Sequence, residues 1–179
     1  MDDDRQSGVW PALSKDDEGL LSELMATLSA RVSGDAYSSD GSFAEGLRQL
    51  PAGLRAMAAT HWLDISLTLD SITWHFGNFG EPGLMAATAE GLAKLGLTAL
   101  ASCFRDAREL MVPLLEGRTE EDGDRYEILE DKNLRQVARE IDRRAWDLDN
   151  ACNERTGRSV IYEAWVHYAR EHPERVFPR

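Results

Sequence analysis

The run from Leu54 to Gly80, LRAMAATHWLDISLTLDSITWHFGNFG, sets the strongest constraint on what this chain can fold into. Apolar residues recur at Leu54, Met57, Ala58, Trp62, Ile65, Leu69, Ile72 and Phe76, which is helical spacing. A second apolar set, Leu63, Leu67 and Trp74, lies off that stripe. A helix that is apolar on more than one side belongs among other helices. Pro51 suits the first turn, where its missing N–H would have no partner. Gly77 and Gly80 are read as ending the helix and turning the chain. The expectation is one central helix with a break near Leu63–Asp64.

The flanking segments carry the same period. Leu21, Leu24, Met25, Leu28 and Val32 form a stripe ended by Gly34, and Ser14 with Asp17 reads as its capping-box-like start. A polar turn covers residues 34–42, a short helix Ser42–Leu47, and another Leu84–Leu95, opened by Pro82 and closed by Gly96. Thr98 is read as the cap of a helix whose stripe is Leu100, Cys103, Phe104, Ala107, Met111 and Leu114. Pro113 lies near its end, and Gly117 stops it. Residues 116–127 read as an exposed acidic loop. A long helix follows with Leu134, Val137, Ala138, Ile141, Ala145 and Leu148 on one face. A turn at 154–159 leads to a last helix over Val160–Glu171. No useful strand alternation and no fixed repeat is present. The pattern predicts an all-α fold, a single multi-helix domain of six to eight helices around a central buried helix. Residues 1–13 are expected to be a flexible acidic tail and 14–179 the domain, with Trp10 and Leu13 pinning the end of the tail to the body.

Charge restricts function. The 179 residues carry a net charge of −12 with 42% hydrophobic content. That hydrophobic fraction suits a globular core. The acidity argues against direct nucleic-acid binding, which needs cations for the phosphates. It suits a basic partner. Residues 116–131 hold eight acids and two bases, a net charge of −6. Cys103 and Cys152 give neither a disulfide framework nor zinc spacing, so a reducing compartment fits. With no secretory pattern at MDDDRQSGVW and no apolar run near the ~20 residues that span a bilayer, the expectation is a cytoplasmic protein without membrane contact.

Two consecutive segments resemble a known family. In LDSITWHFGNFG (69–80), Phe76, Asn78 and Gly80 match an aromatic–asparagine–glycine element. In AATAEGLAKLGLTALASCFRDA (86–107), Leu92, Leu95, Gly96 and Ala107 match an alanine-rich helix, its break and the helix after it. LPAGLRAM (50–57) is similar to the lead-in. Together they resemble the bacterial all-helical DNA-mimic protein domain. The likeness extends over 45–172, with motifs in 50–107. The Asn-Gly-Gly of that family is absent here; Asp70, Ser71 and Ile72 stand near its place. The resemblance implies an all-helical fold and an acidic, homodimeric protein that occupies the DNA-binding surface of a basic transcription regulator.

Candidate site residues follow from both readings. Glu116, Glu120, Glu121, Asp122, Asp124, Glu127, Glu130 and Asp131 either solvate a loop or engage a basic protein surface. Helical carboxylates at i, i+4 stand about 6 Å apart, so matching DNA phosphates requires acids from several elements. Trp74, Phe76 and Asn78 form a candidate small-molecule pocket, against which stand core packing for the aromatics and a left-handed, backbone-bonding turn for Asn78. His61 and Asp64, at i, i+3, are spaced to share a metal or to be two separate polar residues. His75 is too far along the helix to join them. Cys103 reads as a buried, inert thiol. Asp131–Arg135 and Glu140–Arg144 are expected to pair at i, i+4. The leading expectation is a non-enzymatic interaction module with no cofactor, no catalytic residue and no metal. The alternative is a helical domain with a small-molecule pocket near Trp74, Phe76 and Asn78.

Overall fold

Burial on nearly every side defines the central helix. In the computed structural model, which describes residues 10–116 and 131–177, α3 (Ala52–Leu69) buries Leu54, Met57, Ala59, Thr60, Leu63 and Ser66 among its residues. Around it stand α1 (Asp17–Arg31), α2 (Ser42–Arg48), α4 (Ile72–Asn78), α5 (Pro82–Lys94), α6 (Thr98–Leu115), α7 (Lys132–Thr156) and α8 (Val160–Glu171). Short 3-10 turns occupy Pro11–Ser14 and Pro173–Arg175, and no strand occurs among the described residues. The domain is all-α, built on one hydrophobic core that reaches from Ala12 to Val176.

Small residues let the helices approach α3. A Cβ on Gly91 of α5 would lie 2.9 Å from the Ala56 carbonyl oxygen and 3.0 Å from the Thr60 methyl. Beside it, Thr88 donates its hydroxyl to the Ala59 carbonyl at 3.2 Å. From the other side, Trp165 of α8 is fully buried and donates its indole N–H to Thr60 Oγ1 at 3.0 Å. Phe76, Phe79 and Phe104 are also nearly solvent-free. Each such side chain contributes roughly 1.5–3 kcal/mol by burial.

The central run does break, but at Asp70–Ser71 rather than Leu63–Asp64. Leu63 is core, and the Asp64 carboxylate is held by α8, so both stay helical. Asp70 leaves helical geometry (φ −154°, ψ −88°), and the Ser71 hydroxyl caps α4 by accepting from Trp74 N at 3.2 Å. Asp142 of α7 completes that start, accepting from Thr73 N at 3.0 Å and Thr73 Oγ1 at 2.8 Å. Gly77 lies within α4 and does not end it. The turn falls to Gly80, where a Cβ would sit 2.5 Å from the Phe76 carbonyl oxygen.

Other expectations shift by a residue or two. The cap of α1 is Asp16, accepting from Gly19 N at 2.8 Å, while Ser14 sits in the preceding 3-10 turn. The buried seam of α1 is Leu20, Leu24 and Leu28, with Leu21 and Met25 on its flank. Thr98 is the first residue of α6, not its cap. Val137 is 49% exposed, so the α7 seam is carried by Ala138, Ile141 and Ala145. Arg144 crosses to Asp106 of α6 at 2.9 Å, and Glu140 pairs instead with Arg143 at 2.7 Å. Leu13 packs against the core as expected. Residues 1–9 of the predicted tail lie outside the described residues.

Candidate functional site

Two buried polar clusters hang on α3. The first joins it to α8. Ser159 caps α8 by accepting from Tyr162 N at 3.1 Å, and the same hydroxyl donates to Asp64 Oδ1 in a short hydrogen bond. The Tyr162 hydroxyl lies 3.1 Å from His61 Nδ1, and Tyr162 lines the same cleft as Asp64. Asp149 of α7 accepts from Val160 N at 2.9 Å. Burial pushes the Asp64 carboxyl up to about 6; the Ser159 and Tyr162 hydroxyls pull it down, and the charge of Asp149 adds to the rise. Burial lowers His61 and raises Tyr162, the latter helped by the Asp64 charge. This cluster borders a mixed polar cleft of about 420 Å³ that also takes in Glu18, Thr68 and Asn153. Arg158 at its rim is held by Glu163 at 2.7 Å and Asp17 at 3.3 Å.

The second cluster is sealed. The Ser66 hydroxyl donates to the Trp62 carbonyl at 2.9 Å, and its oxygen lies 2.9 Å from His75 Nδ1. With the hydroxyl proton on Trp62, the Ser66 oxygen accepts from Nδ1–H, and Nε2 carries the lone pair. His75 is fully buried against Phe76, Phe79 and Phe104, and Nε2 has no hydrogen-bond partner. Burial drives this imidazole down to about 3 despite a backbone acceptor at Trp62, so it is neutral throughout the physiological range.

The residues nominated by sequence are thus dispersed. His61 and Asp64 belong to one network, each engaged by α8, and His75 belongs to the other. Among the described residues, no group of three or more His, Cys, Asp or Glu side chains is arranged to hold a metal ion. Phe76 is core. Asn78 is the last residue of α4, and its amide donates to the Trp74 carbonyl at 3.1 Å. It bonds local backbone as expected, but no non-glycine among the described residues is left-handed. Trp74 is half-buried and meets Phe79 edge-on at 6.2 Å between centroids. Cys103 is buried, and burial raises its thiol pKa, in keeping with an inert side chain.

Two of the nominated acids are described. Glu116 is exposed just after α6. Asp131 caps α7, accepting from Asn133 N at 2.6 Å and Leu134 N at 3.3 Å. Glu120, Glu121, Asp122, Asp124, Glu127 and Glu130 lie outside the described residues. Sequence reasoning missed Ser159, Tyr162, Asp149 and Asp142. Ser159 carried a readable signal, a serine just before a helical stripe. The others act across the fold and carried none.

These networks brace the helices of an all-helical domain. Residues 48–172 match the family model described as DMP19-like protein, and the chain belongs to that family. No curated protein and no solved structure matches the chain. No helix among the described residues is long and apolar enough to cross a membrane.

Proposed function

We propose that this protein is a non-enzymatic, acidic interaction module of the DNA-mimic type, which occupies the basic DNA-binding surface of a regulator or another nucleic-acid-binding protein. The observation that carries the reading is the family match over residues 48–172, which contains the acidic block at 116–131. Glu116, Glu120, Glu121, Asp122, Asp124, Glu127, Glu130 and Asp131 are the proposed contact residues. Eight carboxylates against two arginines in that block attract cations in the way a phosphate backbone does. The capping bonds of Asp131 leave its negative charge in place, so it still adds to the field. Homodimer formation and a cytoplasmic location belong to the same reading.

The test is capture of partners from lysate by the wild type and by a variant with Glu120→Gln, Glu121→Gln, Asp122→Asn and Asp124→Asn, each at low and high salt. The wild type is expected to retain a DNA-binding protein at low salt and to release it near 1 M, where the Debye length falls from ~10 Å to ~3 Å. The variant is expected to keep its melting temperature and to associate more slowly. Identical partners for both proteins in every condition would remove the block as the contact surface. Sedimentation of the purified protein reads the oligomeric state.

A further inference from the structure

The chain holds a small aromatic-walled cavity separate from the polar cleft that Asp64 lines. It lies where α1 and α2 meet α3, has a volume of about 200 Å³, and is walled by Met25, Leu28, Val32, Phe43, Ala58 and Trp62. His61 and Ser29 supply its polar side chains. Trp62 stands edge-on to Phe43, with centroids 6.0 Å apart, and Tyr37 and Phe79 pack on the same indole, at 6.0 Å and 5.2 Å. These contacts hold the aromatic wall in place.

Size selects the ligand class. A cavity of roughly 150 Å³ lined by apolar side chains takes one benzene ring. Drug-sized ligands need about 300–1,000 Å³. A volume near 200 Å³ therefore suits one fused bicycle and excludes a nucleotide. The polarity of the site follows from the neighbouring network. A phenol has one proton to donate, and an ionised carboxylate only accepts. With the Asp64 carboxylate ionised on the same cleft, the phenol turns its one proton toward that charge, so its oxygen accepts from His61 Nδ1–H at 3.1 Å. That tautomer makes His61 Nε2 a bare acceptor, and it is the ring nitrogen left for a ligand. We infer that this cavity binds a small planar aromatic molecule carrying one N–H or O–H donor, which His61 accepts.

The experiment uses the full chain and three probes: indole, phenol and benzofuran. Benzofuran has the shape of indole without the N–H. Binding is read by tryptophan fluorescence and by ligand-detected NMR. Indole and phenol are expected to bind, with indole about five- to tenfold tighter than benzofuran, the ratio expected for one hydrogen bond. His61→Leu is expected to abolish that ratio while both bicycles still bind. Ser29 is exposed on α1 at the cavity rim, so Ser29→Phe fills the space without disturbing the core and is expected to stop binding of all three. A circular-dichroism melt of each variant checks that it is folded. The proposal is overturned if no probe binds the wild type up to its solubility limit. It is equally overturned if folded Ser29→Phe binds as the wild type does, or if indole and benzofuran bind equally to the wild type.

Discussion

His61 on α3 and His75 on α4 come from one apolar run of sequence, yet the fold treats them in opposite ways. His61 is half-buried, bonded to Tyr162 on the side of Asp64, and lines the cavity of about 200 Å³. His75 is fully buried among phenylalanines, with one nitrogen bonded to Ser66 and the other unpartnered. An unsatisfied buried acceptor costs on the order of 1–3 kcal/mol. The two differ in what lies behind them. Behind His61 stands the polar start of α8. Behind His75 stand Phe79, just past the end of its own helix α4, and Phe104 of α6. Identical side chains thus become one member of a hydrogen-bonded relay and one neutral piece of the core.

The most disruptive way to expose that difference is to place a fixed charge at each position. His75→Lys buries an ammonium with no counter-charge and is expected to lose at least about 3–5 kcal/mol, enough to unfold a domain of ordinary stability. His61→Lys can run its chain along the surface toward Asp64 and is expected to lose only roughly 1 kcal/mol. Urea unfolding followed by circular dichroism measures both. Equal losses would show that the two sites are equally sealed.

A smaller effect separates them by pH. His75 binds a proton in the unfolded chain below about 6.5 but in the folded chain only near 3. Its neutral burial therefore favours folding above pH 6.5, and that contribution is lost as pH falls toward 3, at up to about 1.4 kcal/mol per unit. Asp64 works the other way. Its folded value of about 6 lies above the ordinary 3.8, so it disfavours folding above pH 6, and the penalty lifts as pH falls toward 3.8. Between pH 6 and 4 the two slopes oppose each other. Asp64→Asn removes the offset, and its stability is expected to fall more steeply with acid than that of the wild type. His75→Phe is expected to fall less steeply. Chemical denaturation at intervals from pH 4 to 7.5 reads all three slopes; parallel curves would show that neither group sets the acid limb.

This division was only partly legible in the sequence. The stripes at 54–76, 100–114 and 134–148 located α3 with α4, α6 and α7, but not every buried face, since Leu69 on the first stripe is 66% exposed while Leu63 off it is fully buried. Val160–Glu171 was matched because the turn-forming stretch ERTGRS (154–159) ends just before it. The break was misplaced because Leu63–Asp64 looks locally like an interruption, and only the α8 contact shows that Asp64 is satisfied within a helix. The i, i+3 spacing of His61 and Asp64 suggested a shared ligand. Their partners, Tyr162 and Ser159, come from about a hundred positions downstream, where no local pattern points to them. The α7 pairing failed for the same reason: Arg144 had Glu140 within reach, but Asp106 of α6 was the less exposed acceptor.

The finest comparison lies between the two serines. Ser66 and Ser159 each bond backbone and one titratable side chain, but Ser159 also caps a helix. Ser66→Ala removes the hydroxyl that accepts from His75 Nδ1–H in a sealed site, and is expected to lose about 1–3 kcal/mol. The His75 imidazole is already neutral, so no titration in the physiological range should move. Ser159→Ala removes the α8 cap and is expected to lose about 1 kcal/mol. Here a second readout responds. The Ser159 hydroxyl holds the Asp64 pKa down, so its loss should raise the Asp64 carboxyl above its value of about 6. Carboxyl carbon shifts of Asp64 followed by NMR from pH 4 to 8 give that value directly. An upward shift in Ser159→Ala with none in Ser66→Ala would show that the α8 cap and the ionisation of Asp64 are one linked feature. An unmoved Asp64 titration would show that Ser159 acts on the backbone alone, and that burial and Asp149 suffice to set the carboxyl.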